Sequence, residues 1–204
     1  MSWTTWLGLL AICALGAMSP GPSLAMVVRH TLGGGRAQGI ACAWAHSLGI
    51  GAYALITLLG LAALLKHSPL LFNTIALAGA LYLAWLGLNA LFAKGGMQQK
   101  LAAGKQTTPL LAARDGLAIS LLNPKILLFF MALFSQFVLE THQGSGTWLI
   151  VVTPIVVDGL WYTLIAFTLS QPRLLDKLRH NAGVIDKLTG TVLLLLALRV
   201  VWSL

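Results

Sequence analysis

Charge is what this sequence has least of. Only 9% of its 204 residues are charged, and just five are acids, against about 25% charged residues in a soluble domain. So little ionic surface excludes a water-soluble globular protein. Cysteine is nearly absent as well. Cys13 and Cys42 both fall inside apolar segments, which excludes a disulfide framework or thiolate metal cluster and leaves them as small buried hydrophobes. There is no Ser–His–Asp set, no metal-ligand spacing and no phosphate loop; GGGR at Gly33–Arg36 lacks the P-loop pattern and falls in a predicted tight turn. Enzymatic chemistry therefore has no nucleophile–base pair to start from, and no cofactor or metal is expected. The segment MSWTTW has no positive n-region of a cleaved signal peptide, so the first apolar stretch is expected to stay as a helix.

What the chain does have is apolar length. Hydrophobic residues make up 58% of it, with a mean hydropathy of +0.86. Runs with few charges fall at Trp3–Val28, Gly39–Leu65, Pro69–Phe92, Gly116–Val138, Trp148–Leu169 and Leu188–Leu204. Each is near or above the roughly 20 residues that cross a hydrocarbon core. The expected architecture is all-α, about six transmembrane helices in a single domain, 1–204. Loops or breaks are expected at 29–38, 66–68, 93–115, 139–147 and 170–187.

The net charge of +8 belongs to these loops and gives no reason to expect a nucleic-acid partner. Arg29 and Arg36 lie in the first loop, Lys94, Lys100, Lys105 and Arg114 in the third, and Arg173, Lys177, Arg179 and Lys187 in the fifth. The second holds only Lys66, and the fourth carries Glu140 without a cation. Basic loops stay cytoplasmic, so odd loops share that side and both termini are expected outside. In the fifth loop, Leu174, Leu175, Leu178, Ile185 and Leu188 alternate with the cations at near-helical spacing, which predicts an amphipathic helix on the inner leaflet. In the second span, Gly39, Ala43, Ser47 and Gly51 form a stripe of small residues that admits a neighbouring helix.

Proline interrupts two of the spans. Ser19, Pro20, Gly21, Pro22 and Ser23 break the first, and Asn123, Pro124 and Lys125 break the fourth. Proline removes an N–H and crowds the carbonyl four residues earlier, which is expected to free the carbonyls of Gly16, Met18 and Ser120. Open backbone in lipid costs several kcal/mol per group, so such breaks are buried in protein or line a wet cavity. Pro22 lies seven residues before Arg29 and Pro124 ten after Arg114, or roughly 10 and 15 Å deep at about 1.5 Å per residue. Three spans per half invert the second half, so a 3+3 inverted repeat is expected, with helices one and four broken. Both half-helix N-termini would then face one central region, where an anion such as a carboxylate is favoured. Structural kinks are the plainer alternative.

Few side chains there carry charge. Asp158 falls near the middle of the fifth span, where an acid faces a cavity or a partner. Lys125 is the expected ion-pair partner. A proton-binding or amine-binding role is the alternative, with Trp161 offering a ring face to a substrate ammonium. His46 could relay protons or simply hold two helices together. Arg199, Asn89 and Tyr82 are weaker candidates.

Met18–Ser23 (MSPGPS), Ser120–Phe130 (SLLNPKILLFF), Asp158–Tyr162 (DGLWY) and Leu196–Val200 (LALRV) resemble the LysE/RhtB amino-acid exporter family, and the resemblance covers essentially the whole chain. It implies proton-driven export of amino acids or close derivatives from the bacterial cytoplasm across the inner membrane. On that resemblance, Ser19–Ser23 and Asn123–Lys125 match the family's two breaks and Asp158 its acidic position. Many members read PGPN or PGPD where this chain has Ser23. The expected substrate site combines Ser19, Pro20, Gly21, Pro22, Ser23, Asn123, Pro124, Lys125, Asp158 and Trp161, with Asp158 and His46 as proton-coupling groups. Expected partners are the amino acid, protons and the bilayer, with a homodimer as one way for six small helices to enclose a path. A solute channel and a membrane scaffold are the alternatives.

Overall fold

Five of the seven prolines open a helix at its first residue, where the missing N–H costs nothing. The computed structural model describes residues 2–19, 21–92, 107–135, 137, 147–169 and 172–203; inside helices, the side chains of 62, 64–66, 124, 135, 172–182, 185–186, 189 and 203 are likewise outside the description. Among these residues the chain forms eight helices. They are α1 (Trp3–Met18), α2 (Pro22–Gly34), α3 (Arg36–His67), α4 (Pro69–Leu91), α5 (Pro109–Leu122), α6 (Pro124–Ser135), α7 (Thr147–Leu169) and α8 (Pro172–Ser203). This is an all-α membrane protein.

Both predicted breaks are real bends. The axis turns by 60° between α1 and α2 and by 56° between α5 and α6. Helices α3, α4 and α7 are each long and apolar enough to cross a membrane, and counting each bent pair as one span gives five. The sixth expected span corresponds to a shorter apolar stretch, Gly190–Trp202, within α8. Expected loops are partly helical: 29–38 is helical on both sides of Gly35, 109–115 of the third expected loop open α5, and the helix expected within 170–187 is continuous with the last apolar segment. Residues 29–38 continue α2 and begin α3, separated only at Gly35, whose φ of 98° is the one positive value among the described residues. Residues 172–187 are the first part of α8, because their helical spacing runs on without a proline into the final apolar segment. The basic positions 94, 100 and 105 lie outside the described residues.

Helix α3 is the centre of the bundle and packs most extensively on α5 and α7. The predicted small-residue stripe makes this possible. A Cβ on Gly39 would meet Thr31 and Ala166, and one on Gly51 would meet Ile155. Ser47 donates to the carbonyl of Ile155. On the other side of α3, Gly49 lies against Ser120, and Gly116 of α5 lies against the Cys42 backbone. Helices α4 and α8 cross where Gly87 and Gly190 meet backbone to backbone, a Cβ on either standing 2.8 or 2.6 Å from the other's carbonyl oxygen. Close backbone approach of this kind is how helices associate in lipid, where water supplies no driving force between them. Outside the bundle, Leu70 is 81% exposed, Ile56 67% and Trp202 88%, an apolar exterior suited to acyl chains.

Candidate functional site

The two breaks meet. Lys125 sits at the second position of α6 and its Nζ donates to Ser19 Oγ at 2.6 Å, at the end of α1. Asn123 Nδ2 donates to Ser23 Oγ at 3.4 Å, joining the start of α6 to the start of α2. Gly21 caps α2 without a side chain, and a Cβ there would stand 3.3 Å from Lys125 Nζ. The Lys125 ammonium therefore lies over the N-terminal end of α2, where the helix's own partial positive charge also favours an anion.

The backbone at the breaks is less open than proline alone implies. Ser19 N–H donates to both Leu15 O and Gly16 O, at 3.0 and 3.2 Å, so the Gly16 carbonyl is not freed. At α6, Asn123 Oδ1 accepts the Lys125 N–H at 3.0 Å, an ordinary N-cap. The Lys125 N–H would otherwise have continued the helix to the Leu121 carbonyl, and Tyr53 Oη of α3 supplies that carbonyl's donor at 2.6 Å. Of the two expected helix N-termini, only that of α2 lacks a side-chain cap.

Asp158 does not pair with Lys125. Its Oδ2 accepts from His46 Nδ1 at 2.7 Å, both side chains being buried. The reason is the register of α3 on α7: Ser47 and Gly51 seated at Ile155 bring His46 opposite Asp158. The His46 ring also meets Tyr162 edge-on, with centroids 5.3 Å apart. This leaves His46 Nε2 buried without a hydrogen-bond partner among the described residues.

One cavity gathers these groups. It holds about 60 Å³, room for a handful of waters at roughly 10–15 Å³ each. Ser19, Gly21, Pro22 and Ser23 line it from the first break, Asn123 and Lys125 from the second, and His46, Asp158 and Tyr162 from α3 and α7. Pro20 lies outside the described residues, and Pro124 is described only as the residue that opens α6. Trp161 is elsewhere. It lines a crevice between α1 and α7 with Ala14, Met18 and Leu164, because a single residue step turns it about 100° around α7 from Tyr162, which faces the cavity. Its neighbour Tyr162 takes the aromatic place in the cavity. Asn89 and Arg199 are exposed, and Tyr82 stacks on Trp85 at 5.6 Å.

A second histidine–aspartate pair was not foreseen from the sequence. His30 Nε2 of α2 lies 3.2 Å from Asp115 Oδ2 of α5, away from the cavity lining. Both residues fall in segments expected to be loops, and only their enclosure within helices makes them partners. Among the described residues no cluster of three or more His, Cys, Asp or Glu could hold a metal ion.

Two broken helices enclosing a charged cavity inside a membrane bundle define the class: a transporter. The chain belongs to the LysE type translocator family, which it matches over residues 14–204. It is 30% identical over 161 residues, 78% of this chain and 74% of the relative, to a leucine efflux protein of Enterobacter sp. (strain 638). It is 29% identical over 201 residues, 95% of this chain and 97% of the relative, to a homoserine/homoserine lactone efflux protein of Salmonella typhimurium. No solved structure matches the chain.

Proposed function

We propose that this protein is a secondary exporter of zwitterionic amino acids across a bacterial inner membrane. The carrying observation is that both helix breaks and the Asp158–His46 pair line one cavity. The efflux proteins it resembles supply the direction of transport. The substrate carboxylate sits at the uncapped N-terminus of α2, against Lys125 Nζ, displacing the Ser19 hydroxyl as its partner. The substrate ammonium and the coupling proton compete for Asp158, with His46 holding whichever charge state is present. An acid shared in this way ties outward movement of the amino acid to inward movement of a proton.

The two halves of the chain are read as inverted repeats. Each begins with a helix pair bent by about the same angle. The first helix of each half packs on the long second helix of the other, α1 on α7 and α5 on α3. The distribution of Lys and Arg supports a topology with both termini on the extracytoplasmic side.

Reconstitution into proteoliposomes tests this directly. Labelled amino acids from a panel should move, faster with an imposed pH gradient, and Lys125→Met should abolish movement of all of them. Flux without any dependence on the gradient would remove the proton from the scheme. No flux of any amino acid would sink the reading altogether.

A further inference from the structure

The cavity has two levels. Four helices contribute to both, and on each a polar residue is one turn from an apolar or featureless one. On α6 the pair is Lys125 and Phe129, on α3 His46 and Ile50, on α7 Asp158 and Pro154, and on α1 Ser19 and Gly16. The helix directions put all four second members on the same side. Helices α1 and α7 run parallel, with Trp6 Nε1 bonded to Thr153 Oγ1 at 3.1 Å near their starts and Cys13 and Asp158 lining the cavity further along. Helices α3 and α6 run the opposite way, as Gly39 against Ala166 with Gly51 against Ile155, and Lys125 against Ser19 with Phe129 against Gly16, require. The charged level therefore lies at the breaks, and the apolar level lies one turn nearer the end where α1 begins.

Phe129 dominates that apolar level. Its ring points end-on at Gly16, so that a Cβ there would stand 2.7 Å from Cζ and 3.2 Å from both Cε atoms. Phe130 beside it is held by Phe134, the rings edge to face at 4.9 Å. Phe130 is braced from two sides, by Phe134 and by the edge-to-face ring of Phe129 at 5.7 Å, while Phe129 also fills the space left by the missing side chain at Gly16. Asp158 is the only acid among the described lining residues, and His46 engages it. A second cation on the substrate would find no counter-charge there, and burying it unpaired is strongly unfavourable.

We infer that the apolar level receives the substrate's side chain, that the substrate is an amino acid with an uncharged aliphatic side chain, and that Phe129, packed on Gly16, sets the size admitted. This rests on the export reading above. With the carboxylate at Lys125, a side chain directed one turn along α6 meets Phe129, Ile50 and Pro154. A hydrophobic pocket of this sort discriminates by about tenfold or more per added or missing methylene, so the preference is graded for size and sharp for charge.

The test is competition against labelled leucine in proteoliposomes, using alanine, leucine, phenylalanine, lysine and glutamate. Wild-type protein should favour leucine, with lysine and glutamate competing at least about tenfold more weakly. Phe129→Ala should raise phenylalanine relative to leucine, and Phe129→Leu, which keeps an apolar filler, should fall between. Equal competition by lysine, or a Phe129→Ala variant that scales every substrate alike, would overturn the inference while leaving export intact. Wild-type protein that moves no amino acid would overturn the export reading, and this inference with it. If Phe129→Ala fails to fold, the leucine variant decides: an unchanged substrate order counts against Phe129.

Discussion

His46 and Asp158 depend on each other in different ways. The histidine donates through Nδ1 to a carboxylate that is otherwise without a donor among the described residues. Removing the acid entirely, as in Asp158→Ala, strands a polar ring in the interior, and losing one partner of a buried pair costs about 3–5 kcal/mol. Asp158→Asn keeps an acceptor oxygen for Nδ1 but loses the charge. The alanine variant should therefore unfold at clearly lower temperature in detergent, while the asparagine variant should stay near wild type in stability and lose gradient-driven transport. Asparagine transporting normally would reduce the pair to a structural contact. Cys13 provides a second probe at this scale, because it lines the cavity while Cys42 lies against Gly116. In a Cys42→Ala background, alkylation of Cys13 by N-ethylmaleimide should be slowed by a transported amino acid and not by one that is excluded. Equal labelling rates with and without the amino acid would place the substrate elsewhere.

Helices in this bundle are shaped by how their ends and crossings are satisfied. The Leu121 carbonyl, set free because Lys125 N–H turns to Asn123, is taken by Tyr53 from a different helix. Tyr53→Phe leaves it without that donor, and an unmet carbonyl of this kind costs about 1–3 kcal/mol. The expected result is a lower unfolding temperature with the substrate preference unchanged; an unchanged unfolding temperature would mean that another donor serves this carbonyl. Gly116 tests the crossing of α5 on α3. An added methyl would meet the Cys42 backbone, which cannot swing aside as a side chain can, so Gly116→Ala should destabilise by about 1–3 kcal/mol. Thermal unfolding of the purified variant measures it.

For the whole molecule, we propose that the export reading above involves α2 and α5 parting where His30 meets Asp115. A His30→Cys, Asp115→Cys pair in a Cys13→Ala, Cys42→Ala background, bridged by a short bis-maleimide, should lose transport that the unbridged protein retains. Transport by the bridged protein would show that this contact is static. The breaks were legible in the sequence because proline in an apolar run has one physical meaning. The length of the chain and its apolar segments likewise announced a membrane bundle. The partner of Asp158 was not legible, since it depends on the register of α3 against α7, which Ser47, Gly51 and Ile155 settle together. Tyr53 with Leu121 and His30 with Asp115 are 68 and 85 positions apart, and nothing local marks either member. The displacement of Trp161 from the cavity follows from rotation about α7, which spacing along one helix cannot fix without its neighbours.

The two levels of the cavity differ in what they are made of. The level at the breaks is formed largely by the path of the chain itself, by Gly21, a helix end and Asn123 folded back on its own backbone, with Lys125 and Asp158 as the charged side chains. The other level is made mainly of side chains, Phe129, Ile50 and Pro154, set against the bare backbone of Gly16. On the proposed reading, a lineage of such proteins can keep one grip for every amino acid and trade cargo by single replacements at a few apolar positions. The innovation then falls where volume alone is altered and the course of the backbone is untouched.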